Sequence, residues 1–144
     1  MAKLSVPALI IAGSQDDVSG YDSGIRPIFA EATGVDRHLL TFEGAGHNAG
    51  APIPAPLESW RPVPWLDFVP FDHYADKVWD TVRMNNVTQH FVTAFLDHHL
   101  KGDAGVARFL GPKFEGFAPG TALGLRWETA KMGGIAHPTS IPGQ

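Results

Sequence analysis

Two apolar runs, each broken by a glycine and separated by a helix-spaced segment, constrain this chain more than anything else in it. Residues 6–20 read VPALIIAGSQDDVSG and residues 37–50 read RHLLTFEGAGHNAG, with IRPIFAEATG at 25–34 between them. Residues 6–12 are almost wholly apolar. That suits a parallel strand buried on both faces better than an alternating surface strand. In the middle segment Ile25, Ile28, Phe29 and Ala32 fall at i, i+3, i+4 and i+7, one face of a helix over about 25–32. Pro27 belongs to its first turn, where a missing N–H costs little, and Gly34 is the expected stop. A second strand is predicted over about 37–42. Strand, helix and strand at this spacing imply a right-handed parallel crossover, with both strands ending at one edge of an α/β sheet.

The loops at that edge carry chemistry. The first apolar run breaks at Gly13 and delivers Asp16 three residues later; the second breaks at Gly44 and delivers His47. Ligands and active sites lie outside the carboxyl ends of parallel strands. Gly13-Ser14-Gln15 and Gly44-Ala45-Gly46 are small enough for tight turns and close approach. Taken singly, Asp16 reads as a turn or capping aspartate and His47 as an idle loop histidine. Asp17 competes with Asp16 directly, and Asp22 more weakly. Together, at matching ends of consecutive strands, the two residues read as a carboxylate that orients an imidazole, leaving the other ring nitrogen to move a proton.

Composition removes several alternatives. The chain has 144 residues, enough for one domain, and is 44% apolar. Its net charge is −4, with no basic stripe, so nucleic-acid binding has no electrostatic footprint. No apolar run approaches the roughly 18–20 residues of a membrane span. The opening MAKLSVPALIIAG superficially resembles a signal peptide, but Pro7 and the following GSQDD argue for a strand. With zero cysteines there is no disulfide, thiolate nucleophile or Cys-ligated zinc, and the compartment stays open. His98-His99 and the scattered His38, His73, His90 and His137 lack metal-ligand spacing.

Residues 48–72 hold six prolines and cannot form long regular elements. Trp60, Trp65, Phe68 and Phe71 within them are expected to pack down onto the body, either lining an acyl pocket or plugging the edge of the core. The longest helix is predicted over about 73–101. Asp72 is its N-cap, Asp76 and Asp80 lie near the positive end of its dipole, and Gly102 ends it. Val78, Val82, Phe91, Phe95 and Leu96 give it apolar faces, interrupted by Arg83, Asn85, Asn86 and Gln89. It is expected to lie across the sheet with one wet face. LGLRWE at 123–128 reads as a short strand, and 133–144 as a disordered tail.

VPALIIAGSQDDVSGY and LLTFEGAGHNAG resemble the last two core strands of an α/β-hydrolase. More specifically, they look like bacterial dienelactone-hydrolase-like proteins related to platelet-activating-factor acetylhydrolases. Residues 73–102, HYADKVWDTVRMNNVTQHFVTAFLDHHLKG, resemble that fold's closing helix. The resemblance covers about residues 4–103. It implies a partial α/β-hydrolase fold, with two or three parallel strands and flanking helices over 1–105, followed by an irregular extension over 106–144. It assigns Asp16 as the acid and His47 as the general base of a Ser-Asp-His triad acting on an ester or lactone, with no cofactor.

The nucleophile does not carry over. Ser14, Ser19, Ser23 and Ser59 all lack the glycines of G-x-S-x-G, the motif that presents such a serine. The chain is therefore expected to be the C-terminal portion of such an enzyme, starting at an internal or reassigned Met, with the serine on other sequence. Alone it is expected to be inactive. The competing expectation is a non-catalytic fragment or interaction domain with residual hydrolase architecture. Such a chain would self-associate through the sheet edge that the missing strands leave exposed.

Overall fold

The computed structural model describes residues 4–134, and most of the predicted tail, residues 135–144, lies outside them. Strand β1 (Ala8–Gly13) leads through a π-helical turn (Tyr21–Ile25) into helix α1 (Arg26–Glu31) and then strand β2 (Arg37–Phe42). A long segment with 3-10 turns at His47–Gly50, Leu57–Trp60 and Pro70–His73 follows. Helix α2 (Thr81–Leu100), a 3-10 turn at Ala104–Phe109 and strand β3 (Leu125–Ala130) complete the order. The result is a small mixed three-stranded sheet with helices, broadly α/β.

β1 and β2 pair in parallel, from Ala8 opposite Arg37 to Gly13 opposite Phe42, so both strands end at one edge. β2 is central, with all six residues buried. β3 corrects the expectation of an all-parallel sheet, since it pairs antiparallel to β2 from Phe42 opposite Leu125 to Arg37 opposite Ala130. The reason lies in the connection. The chain re-enters beside the end where β2 leaves, with the Glu43 amide donating to the Gly124 carbonyl at 2.8 Å, and can only run back along it.

The sheet is covered on both faces. Leu40 and Phe42 of β2 and Leu125 and Trp127 of β3 pack with Met84, Val87 and Phe91 of α2. On the other face Leu39 and Ala130 meet Phe29 of α1 and Tyr21. Arg37 at the start of β2 is fully buried. Its guanidinium donates to the carbonyls of Phe29, Ala30, Val35, Lys131 and Gly134. It thus satisfies the carbonyl end of α1, the part expected of Gly34, and fixes Gly134 as well. Gly133, predicted to open the tail, donates to the Thr33 carbonyl at 2.9 Å.

α2 begins at Thr81, eight residues later than predicted. Asp80, not Asp72, is the N-cap, accepting from the Arg83 amide at 2.8 Å. Upstream, Asp76 accepts from the amides of Val78 and Trp79, and such local bonds compete with helix. The Trp79 ring anchors the segment by donating Nε1–H to the Glu43 carbonyl at 2.8 Å. The buried face of α2 is Met84, Val87, Phe91 and Ala94, so Val82 and Leu96, expected inside, face out, and Val78 precedes the helix, exposed. Among the described residues no helix is long and apolar enough to cross a membrane.

The aromatic loop departs from expectation too. Trp60 stacks on Phe71 at 3.6 Å and Phe68 meets His73 edge-on, but Trp60, Trp65 and Phe68 are exposed, Trp65 by 83%. Trp60 and Phe71 pack on each other, and none of the four rings joins the buried core.

Candidate functional site

The two loops at the carboxyl ends of β1 and β2 are stitched together before any functional side chain enters. Ser14 N donates to the Phe42 carbonyl at 3.0 Å, and Gln15 N to the Ala45 carbonyl at 2.8 Å. Ser14 Oγ accepts from the Gly44 amide at 2.8 Å. Gly13 is required for this contact: a Cβ there would sit 2.3 Å from the carbonyl oxygens of Ala45 and Gly46. Gly44 turns the second loop with φ +77°, a conformation that L side chains rarely adopt.

This frame brings Asp16 and His47 together. Both carboxylate oxygens of Asp16 lie on His47 Nδ1, at 3.0 and 3.1 Å. Asp16 Oδ1 also accepts from the amides of Val18 at 3.0 Å and Ser19 at 2.9 Å. Asp16 is buried, whereas the His47 side chain is 52% exposed. Burial is the largest single influence on the Asp16 carboxyl and would raise its pKa. The Ser19 amide, the His47 ring and the Val18 amide together outweigh it and hold the pKa below the ordinary carboxylate value. Asp16 is therefore ionised at neutral pH and accepts the Nδ1 proton. That fixes the neutral tautomer, with the lone pair on Nε2.

The rival carboxylates stand apart. Asp17 and Asp22 are exposed, and neither makes a hydrogen bond to the ring. Of Ser14, Ser19, Ser23 and Ser59, Ser19 approaches the imidazole, its Oγ 3.3 Å from Nδ1. That is the carboxylate side of the ring, so Ser19 is not placed to pass a proton to Nε2.

Sequence reasoning missed Asp76. Its Oδ1 accepts from the amides two and three residues ahead, Val78 at 2.9 Å and Trp79 at 2.8 Å. Its Oδ2 accepts from the amide of Gly46, the residue before His47, at 2.7 Å. Asn48 adds a second tie, donating from Nδ2 to the Ala75 carbonyl at 2.9 Å. Asp16 and Asp76 share one device: each closes a short turn on amides i+2 and i+3 and still holds the His47 loop. The signal is an aspartate in a non-helical turn context, masked by the helix-like spacing of residues 73–80.

His47 opens onto two cavities. One, of about 450 Å³, is walled by Asn48, Gly50, Ala51, Ile53, His73 and Tyr74. The other, of about 510 Å³, runs past Gln15, Asp17, Asp72, Asp76 and Lys77, again with His73. None of Trp60, Trp65, Phe68 or Phe71 lines either cavity, so the aromatic cluster is not their wall. Among the described residues no group of three or more His, Cys, Asp or Glu is arranged to hold a metal ion.

Chemically, the arrangement can take a proton at Nε2 and stabilise the resulting imidazolium through an ionised, buried carboxylate. No family model matches the chain, and neither a curated protein nor a solved structure matches it.

Proposed function

We propose that this chain supplies the acid and the general base of a serine-type α/β-hydrolase acting on small esters or lactones. In this reading it is the C-terminal portion of the enzyme, of dienelactone-hydrolase or platelet-activating-factor-acetylhydrolase type, with the nucleophilic serine on sequence outside these residues. One observation carries it: an ionised Asp16 seated on His47 Nδ1 at the shared carboxyl end of two adjacent parallel strands. Nε2 takes the proton of the serine hydroxyl as the oxygen attacks the ester carbonyl. It then returns that proton to the leaving alkoxide, while Asp16 stabilises the imidazolium between the two steps. Water repeats the cycle on the acyl-serine.

The test is to express the longer reading frame that contains these residues and treat it with a fluorophosphonate. The expected result is covalent label on one serine in a G-x-S-x-G context, with labelling strongly slowed by His47→Ala. A longer product in which no serine is labelled would sink the proposal. The 144-residue chain alone is expected to show no labelled serine. Without nucleophile and oxyanion hole it lacks groups of which a single donor is worth about 10²–10³ in rate.

A specific observation favours a second reading, a non-catalytic interaction domain. β1 forms one edge of the sheet, and Ala8–Gly13 contains no charged residue to discourage pairing. Self-association through that edge would appear as a concentration-dependent dimer in light scattering. Val6→Lys, at an exposed position two residues ahead of that strand, would return the chain to monomer.

A further inference from the structure

We propose that His47 is itself an acyl acceptor: on this chain its Nε2 attacks activated aryl esters and passes the acyl group to water. The step uses the Asp16–His47 pair but no serine, so it stands or falls separately from the hydrolase reading.

The geometry sets His47 apart from the other histidines among the described residues. Every hydrogen bond that its ring makes among the described residues is at Nδ1, to Asp16 Oδ1, Asp16 Oδ2 and Ser19 Oγ. The proton is thereby held at Nδ1 and the lone pair at Nε2, on a ring half open to solvent. An imidazole hydrogen-bonded to a carboxylate is a stronger nucleophile than a free one, because the positive charge that forms on attack is stabilised as it appears. His38 is buried, and the Nε2 atoms of His90 and His99 are buried without a partner. His73 and His98 have no carboxylate on the ring among the described residues. The cavity of about 450 Å³ beside His47 offers the acyl group apolar contacts from Ala51, Ile53 and Tyr74.

The chemistry closes without a further reactant. Nε2 donates its lone pair to the ester carbonyl carbon, the carbonyl–aryloxide bond breaks, and the phenolate leaves with that electron pair. The product is an Nε2-acylimidazolium whose Nδ1–H still faces Asp16. Water attacks the same carbon and the C–N bond breaks, returning its pair to Nε2. One water proton is released to solvent and the other leaves with the carboxylic acid.

The experiment uses the 144-residue chain and p-nitrophenyl acetate. Phenolate release is followed, and acid-quenched protein is digested and its acetylated peptide identified by mass spectrometry. The expected result is saturable release with acetyl on the His47 peptide. Both are lost in His47→Ala and slowed in Asp16→Asn, and both are kept in His98→Ala at the far end of the sheet. The proposal is overturned if His47→Ala releases phenolate as fast as the parent chain, or if the acetyl group maps to His73, a lysine or a serine. Circular dichroism of His47→Ala confirms that an exposed side chain was removed without unfolding. Neither result changes the fluorophosphonate outcome on the longer protein.

Discussion

The sheet carries an aspartate and a histidine at each end of β2, and the two pairs behave in opposite ways. At the carboxyl end the carboxylate is buried and the ring exposed, so Asp16 spends its charge on His47 Nδ1. At the amino end the ring is buried and the carboxylate is committed elsewhere. Asp36 accepts from Lys131 Nζ at 2.8 Å and from the Met132 amide at 2.9 Å. Its pKa is lowered, first by the Lys131 hydrogen bond and then by the Met132 amide. His38 turns inward between Trp127 and Phe95 and shares a hydrogen bond with Thr129 Oγ1 at 3.0 Å. Burial, then the positive charges of Lys131 and His99, lower its pKa to about 4. The same residue types make a proton acceptor at one end and, at the other, a packing ring that stays neutral at pH 7. Which member of the pair is desolvated decides the chemistry.

The largest effect should separate the two ends by activity. In the longer, serine-bearing protein of the proposed reading, Asp16→Asn should lower kcat by roughly 10⁴, since the amide favours the wrong tautomer. Asp36→Asn should leave kcat within a small factor. Ester turnover measures both, and equal losses would break the comparison.

The next effect separates them by pH. His38 has a folded pKa of about 4 against 6.5 when unfolded. Between those values the unfolded chain binds a proton that the folded chain does not, so stability falls as the pH drops. The full contribution is present above pH 6.5. On the order of 3 kcal/mol should be lost by pH 4, with no further loss from this group below it. Asp16 acts later: its lowered pKa gives stability present above about 3.8 and lost as the pH falls through the folded value. Urea midpoints for the parent and His38→Asn at pH 7, 5.5 and 4 should converge as the pH falls. Parallel curves would remove His38 from the account.

Smaller still, Asp76→Ala should cost about 1–2 kcal/mol, the range for a lost cap plus unpaired amides. It should also make the Gly46 and Trp79 amides exchange faster by NMR, while leaving those around His38 unchanged. Last, Lys131→Ala should cost less than about 1 kcal/mol, because the ammonium is mostly exposed. It should still raise the His38 pKa, since it removes a like charge. A downward shift in an NMR titration would contradict the stated cause.

Much of the carboxyl end was legible because its signals are local. β1 and β2 announce themselves as apolar runs, and Gly13 and Gly44 mark the residue at which each loop starts. The amino end was not legible. His38 and Arg37 lie inside an apparent strand, and no local pattern says that a guanidinium will turn back to close α1 or that an imidazole will be covered by Trp127. The start of α2 was misplaced for a related reason. Asp72, Asp76 and Asp80 are equivalent as possible caps until Trp79 finds the Glu43 carbonyl and Asp76 finds the Gly46 amide, 30 residues away.

Local sequence pattern was enough for the parallel β1–β2 pair, the spacing that puts Asp16 and His47 at one edge, and the lack of an elbow serine in this chain. Those follow from side-chain period and from where glycine permits a turn, which are properties of neighbours along the chain. The burial of Asp16 beside an open His47, the antiparallel return of β3 and the hold of Asp76 on the histidine loop came from packing in three dimensions. Desolvation and long-range hydrogen bonds set those outcomes, and both depend on which distant segments come to lie against a residue.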